Sequence, residues 1–107
     1  MIYSLGQIAD YVKPVAEKYK IPSVCVFGSY ARGDATENSD IDILIDRCGS
    51  DIKNMYSFVA FCSDLENVFM KNVDVITVQQ LEQHGAIERI PYIIEAISKE
   101  KVRVYGH

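Results

Sequence analysis

Three short apolar runs constrain this chain more than any other feature: SVCVF at 23–27, DIDILID at 40–46 and VDVITV at 73–78. Each is rich in β-branched residues and has the length of a strand, so the chain is predicted to build a sheet from them. The first run is continuous, as expected for a strand covered on both faces. The second alternates, sending Ile41, Ile43 and Ile45 to one face and Asp40, Asp42, Leu44 and Asp46 to the other. In the third, Asp74 shares a face with Ile76 and Val78, a costly place for a carboxylate if it is buried and unpaired.

Helical patterns lie between and around these runs. Leu5, Ile8, Val12, Val15, Ala16 and Tyr19 recur at helical spacing over 4–19, with Ser4 as N-cap. Pro14 is the weak point and predicts a kink or an early end. Pro22 marks the turn into the first strand. Ser29 reads as the N-cap of a short helix over 30–32 that Gly33 ends, and 34–39 is a polar loop. A helix is predicted over 51–70, with Ile52, Met55, Tyr56, Val59, Leu65, Val68 and Phe69 as its apolar stripe. Two short helices are predicted near 79–83 and 86–99, with Pro91 early in the second. Residues 102–105 read as an edge strand or a tail. The pattern predicts an α/β fold: a short mixed sheet with the aspartates on one side and helices packed mainly on the other face.

At 107 residues the expectation is a single domain over 1–107, and 49% hydrophobic content supplies one modest core. The net charge of −4, with no stripe of Lys and Arg, argues against direct nucleic-acid binding. It leaves room for a nucleotide neutralised by metal ions. Cys25, Cys48 and Cys62 match no zinc or disulfide spacing, which points to a reducing, cytoplasmic setting with Cys25 in the core. No signal peptide is read at the N-terminus, and no apolar run approaches the ~20 residues of a membrane span.

The chemistry-bearing residues sit at the ends of these strands. Gly28 allows close backbone approach, and Ser29 presents a hydroxyl and an N–H at a turn suited to a phosphate. Alone, such a pair is most often an ordinary capped turn. Asp40 and Asp42 lie ~7 Å apart at Cα on one strand face, where their oxygens can converge on a hard cation such as Mg²⁺. Alone, Asp-x-Asp is most often a solvated strand edge. Asp74 changes the balance, because three clustered carboxylates repel one another unless a cation intervenes. Arg32 reads equally well as a phosphate ligand or an exposed helix-end cation. Tyr11, Tyr19, Tyr56 and Tyr92 read as packing residues, and Tyr30 as structural or facing a nucleotide. Asp34 and Asp46 read as solvated. Lys71, Asn72 and Gln79 flank the third strand without an assigned role, and His84 and His107 read as surface residues.

Taken together, Gly28-Ser29, the ten-residue interval and Asp40-Ile41-Asp42 resemble the signature of the DNA polymerase β-like nucleotidyltransferases. The fuller strings GSYARGDA and SDIDILI resemble the minimal nucleotidyltransferases, the MNT group, over about residues 5–100. That resemblance implies the family's polymerase β-like fold, ATP as donor with its terminal phosphates at Gly28 and Ser29, and two Mg²⁺ ions held by Asp40, Asp42 and Asp74. Asp74 would complete one metal site and is also a candidate general base. It further implies AMP transfer to a hydroxyl, in such standalone proteins a tyrosine of an all-helical HEPN toxin partner. Two alternatives stay open: a non-catalytic antitoxin that covers its toxin, and a catalytic subunit of a two-chain enzyme acting on a small molecule. Oligomeric state, a homo-oligomer included, is left open.

Overall fold

The computed structural model describes residues 2–79 and 101–106. The predicted helices near 79–83 and 86–99, with Pro91, Tyr92 and His84, lie almost wholly outside them, as does His107. Helix α1 (Leu5–Lys18) opens on a reciprocal cap: the Gln7 N–H donates to Ser4 Oγ at 3.1 Å and the Ser4 N–H donates to Gln7 Oε1 at 2.8 Å. The helix runs past Pro14 to Lys18 without ending early. Pro14 faces solvent, where the lost backbone bond is least costly. Strand β1 (Ser23–Phe27) leads into the short helix α2 (Gly28–Arg32), followed by strand β2 (Ile41–Asp46), helix α3 (Met55–Phe69), strand β3 (Val73–Thr77) and strand β4 (Val102–Gly106).

The sheet has the order β3-β2-β1-β4. β1 pairs antiparallel with both β2 and β4, whereas β2 and β3 run parallel, so the sheet is mixed, as expected. Residues 102–105 are thus an edge strand among the described residues. One face carries Val24, Val26, Ile41, Ile43, Ile45 and Val73 into a single core with Ile8, Val12, Val15 and Ala16 of α1 and Phe61, Leu65 and Phe69 of α3. Tyr3 closes one end of that core. Its hydroxyl donates to the Phe69 carbonyl at 2.6 Å, and its ring meets Tyr11 and Phe69 edge-on. Cys25 and Leu44 are buried on the opposite face with Phe27, Ile76 and Val78 beside them.

The prediction for the 51–70 helix needs correction at its start. α3 begins at Met55, where Asn54 Oδ1 accepts the Ser57 N–H at 2.9 Å as an N-cap. Of the predicted apolar stripe, Leu65 and Phe69 are buried, but Met55, Tyr56 and Val59 are 71%, 88% and 54% exposed. Tyr56 is therefore no packing residue. The buried spacing is set by Phe61, Leu65 and Phe69, one residue every four, and that register turns Met55, Tyr56 and Val59 outward.

Candidate functional site

β1 ends at Phe27, and Gly28 takes the chain out of the sheet with φ 71°. Glycine adopts that left-handed backbone without steric cost. A second constraint acts at the same place: a Cβ on Gly28 would overlap the Asp42 carboxylate. The Gly28 backbone therefore closes directly against this acid. Phe27 stays extended to pair with Asp42 in the sheet. As a result α2 starts at Gly28, with Phe27 in the N-cap position and no side-chain cap. Ser29 lies inside α2 and is not the cap the sequence predicted. Its carbonyl accepts the N–H groups of Gly33 and Asp34, each at 3.0 Å, and Gly33 ends the turn at φ 86°.

Asp42 sits on the central part of the sheet, with Phe27 of β1 as its partner on one side and Asp74 of β3 on the other. Residues paired across a sheet point to the same face, and neighbouring strands lie about 4.8 Å apart. Phe27, Asp42 and Asp74 thus form one row on the face opposite α1 and α3. Asp74 is exposed, which corrects the worry about a buried carboxylate in an apolar strand. The register puts it at the end of β3, beyond the apolar part of that face. Asp40 lies just ahead of β2 and is also exposed, leaving Asp42 as the half-buried member.

The charges interact. Burial, helped by the negative charges of Asp74 and Asp40 and opposed by the Arg32 guanidinium, pushes the Asp42 carboxyl up to about 6. Arg32 Nε also donates to Asp34 Oδ2 at 3.3 Å. Asp40, Asp42, Asp74 and Arg32 therefore share one electrostatic neighbourhood, with Gly28 against its centre. Among the described residues, no group of three or more His, Cys, Asp and Glu side chains is disposed to hold a metal ion by itself. The donor set nevertheless fits a hard cation. It is all oxygen, it gathers like charge, and Mg²⁺ commonly takes one or two carboxylates while substrate phosphates supply further ligands.

Other expectations land elsewhere. Tyr30 is buried and structural, with its hydroxyl accepting from Lys71 Nζ at 3.0 Å. Tyr19 packs edge-on against Phe61. Its hydroxyl donates to Asp64 at 2.7 Å, and burial together with that carboxylate raises it to about 12. Asp46 is not simply solvated: Oδ1 accepts from the Cys48 N–H at 2.9 Å and from Gln79 Nε2 at 2.8 Å. Gln79 thus belongs to the far end of the sheet. Clefts lined by Arg47, Ile52, Lys53 and Gln79 lie at that end too, and none of the three site carboxylates lines them. Lys71 had no role in the sequence reading, yet it reaches two segments of the site. The available signal was its position three residues ahead of Asp74.

Residues 8–104 match the model of the nucleotidyltransferase domain. This chain belongs to the nucleotidyltransferase family. The resemblance to the minimal nucleotidyltransferases read from the motifs agrees with its relatives. A protein of Methanocaldococcus jannaschii, named as a protein adenylyltransferase, is 32% identical over 97 residues, covering 91% of this chain and 90% of the relative. A toxin-antitoxin crystal structure with AMP-PNP superimposes with a TM-score of 0.69 at 18% identity, covering 92% of this chain and 73% of that one. A complex of the tri-AMPylated Shewanella oneidensis HEPN toxin with an MNT antitoxin gives a TM-score of 0.65 at 13% identity, covering 96% and 73%. At such identities these structures speak for the fold, which is the one expected. The protein is a nucleotidyltransferase, and its catalysis needs a nucleotide donor.

Proposed function

We propose that this nucleotidyltransferase transfers AMP from ATP, with Mg²⁺, to a tyrosine hydroxyl of a helical HEPN-type toxin and so acts as its antitoxin. The observation that carries the donor half is the pairing of Asp42 with Asp74 on parallel strands, with the Gly28 backbone closed against Asp42. The acceptor half rests on relatives named protein adenylyltransferases and on structural neighbours that are HEPN toxin complexes.

Asp40, Asp42 and Asp74 would hold the metal, and Gly28 and Ser29 would receive the terminal phosphates, with Arg32 beside them. Bound Mg²⁺ would offset charge on the attacking and leaving oxygens. The acceptor oxygen attacks the α-phosphorus, a new P–O bond forms, the bond to the β-phosphate oxygen breaks, and pyrophosphate leaves. The acceptor proton passes to a carboxylate, for which Asp74, exposed beside Asp42, is the candidate. Two such ions suit an in-line displacement. All three cysteines are free thiols, which suits a reducing, cytoplasmic site of action.

The test uses the purified chain, Mg²⁺, α-labelled ATP and the proposed HEPN-type partner. Label is expected on a tyrosine of that partner, and the Asp40→Asn/Asp42→Asn double variant should lose it by at least ~10³-fold. Equal labelling by the double variant would sink the carboxylate assignment. Tight, protective partner binding with no label would favour a covering antitoxin. Pyrophosphate release on adding a small-molecule hydroxyl, with the protein partner unlabelled, would favour the two-chain small-molecule enzyme.

A further inference from the structure

Between α3 and β3 lies the dipeptide Lys71-Asn72, which makes three bonds to segments that carry the site. Lys71 Nζ donates to the Tyr30 hydroxyl at 3.0 Å and to the Glu37 carbonyl at 3.3 Å. It also lies 5.3 Å from the centroid of the Tyr30 ring. The Asn72 carbonyl accepts the Ile41 N–H at 3.2 Å. Each bond touches a different piece. Tyr30 follows Ser29 on α2 and is only 5% exposed, so its hydroxyl marks a fixed point of that helix. Glu37 is in the loop that delivers Asp40. Ile41 is the residue between Asp40 and Asp42.

From this geometry we infer that Lys71 is a positioning residue for nucleotidyl transfer, bracing α2, the 34–39 loop and β3 so that Gly28-Ser29 and the three carboxylates keep one relative placement. The inference rests on the donor half of the function proposed above. An ammonium suits the task. It has three donors and no acceptor, so one atom serves a hydroxyl and a carbonyl from separate segments at once. The start of the loop is tied to α2 by the Asp34 N–H and Ala35 packs against the core; further along, the Thr36 N–H donates to Ser39 Oγ at 2.9 Å and the Ser39 N–H to the Thr36 carbonyl at 3.0 Å. Those bonds shape the loop but do not fix it to the sheet. A displacement of about 1 Å at a transfer site costs on the order of 10²-fold in rate, so a brace at this position acts on catalysis without touching substrate.

The test compares Lys71→Met, which keeps an apolar stem and loses every donor, with Lys71→Arg and Tyr30→Phe. In the metal-free protein, Lys71→Met is expected to speed amide exchange at Thr36, Ser39 and Ile41 by about tenfold or more, while the amides of α1 stay unchanged. With AMP-PNP as probe, the Mg²⁺ concentration for half-maximal nucleotide binding should rise about tenfold. Lys71→Arg should show little of either effect, and Tyr30→Phe should reproduce part of both without adding to Lys71→Met in the double variant. If Lys71→Met does not fold, Tyr30→Phe alone must still show the exchange and Mg²⁺ shifts. Wild-type exchange in the loop and wild-type Mg²⁺ dependence in these variants, with only the melting temperature lowered, would overturn the inference and leave the proposed function standing. A wild-type chain that binds no AMP-PNP at any Mg²⁺ concentration would remove both.

Discussion

Asp42 concentrates the logic of the site in one residue. Burial and the charges of Asp74 and Asp40 lift its carboxyl to about 6, above the ordinary 3.8. In the metal-free protein the folded state therefore holds a proton that the unfolded chain has released between those values. Stability from this group is fully present below about pH 4 and is lost as pH rises through 6. Asp42→Asn should thus raise the melting temperature at pH 8 and have no stabilising effect at pH 3.5. After discounting for solvent screening, the gain is about 1 kcal/mol. Thermal melts at the two pH values in the presence of a chelator check this, and an equal effect at both would contradict it. Gly28→Ala works in the opposite sense. It forces a side chain into positive φ and against the Asp42 carboxylate. The expected cost is about 1–2 kcal/mol of stability, with a fall in nucleotidyl transfer of roughly 10² or more. Melting and initial-rate measurements on the same preparation separate the two effects.

At the scale of elements, legibility followed periodicity. The alternation of Ile41, Ile43 and Ile45 against Asp42, Leu44 and Asp46 states the two faces of β2 by itself, because a two-residue period leaves no other arrangement. α1 was equally readable from its i, i+4 spacing. The start of α3 was not, since Met55, Tyr56 and Val59 are apolar in sequence yet exposed. Hydrophobicity alone does not say which of two helical registers meets the core; Phe61, Leu65 and Phe69 decide it. Ser29 misled for a different reason. A Ser after Gly is a good N-cap locally, but pairing of Phe27 with Asp42 keeps the chain in the sheet one residue longer and moves the helix start to Gly28. The N-cap of α3 now rests on Asn54, whose Oδ1 accepts the Ser57 N–H at 2.9 Å. Asn54→Ala should cost about 1 kcal/mol in denaturant unfolding. It should leave nucleotidyl transfer unchanged, because Asn54 lies at the far end of the sheet. A loss of activity without a loss of stability would show that α3 contributes more than support.

Across the whole molecule, the mixed sheet divides labour between its faces. One is closed by α1 and α3 around the isoleucines of β2. The other presents Asp42 and Asp74 in one row at the end where β1 turns into α2. The two aspartates of the row were legible as carboxylates on strands. Their register was not, because strand order and direction depend on contacts distant in sequence. The antiparallel β1–β2 pair sets Phe27 beside Asp42, and the parallel β2–β3 pair sets Asp74 on its other side. The proposed acceptor rests on family resemblance alone, since no residue of the described site identifies one.

The central claim is that this geometry activates the α-phosphorus of ATP. Parallel reactions with α-labelled and γ-labelled ATP, Mg²⁺ and the proposed HEPN-type partner test it most directly. The account predicts label on the partner from the α position alone, with the γ label released in pyrophosphate. Label transferred from the γ position would mean a phosphoryl transferase and would contradict the account.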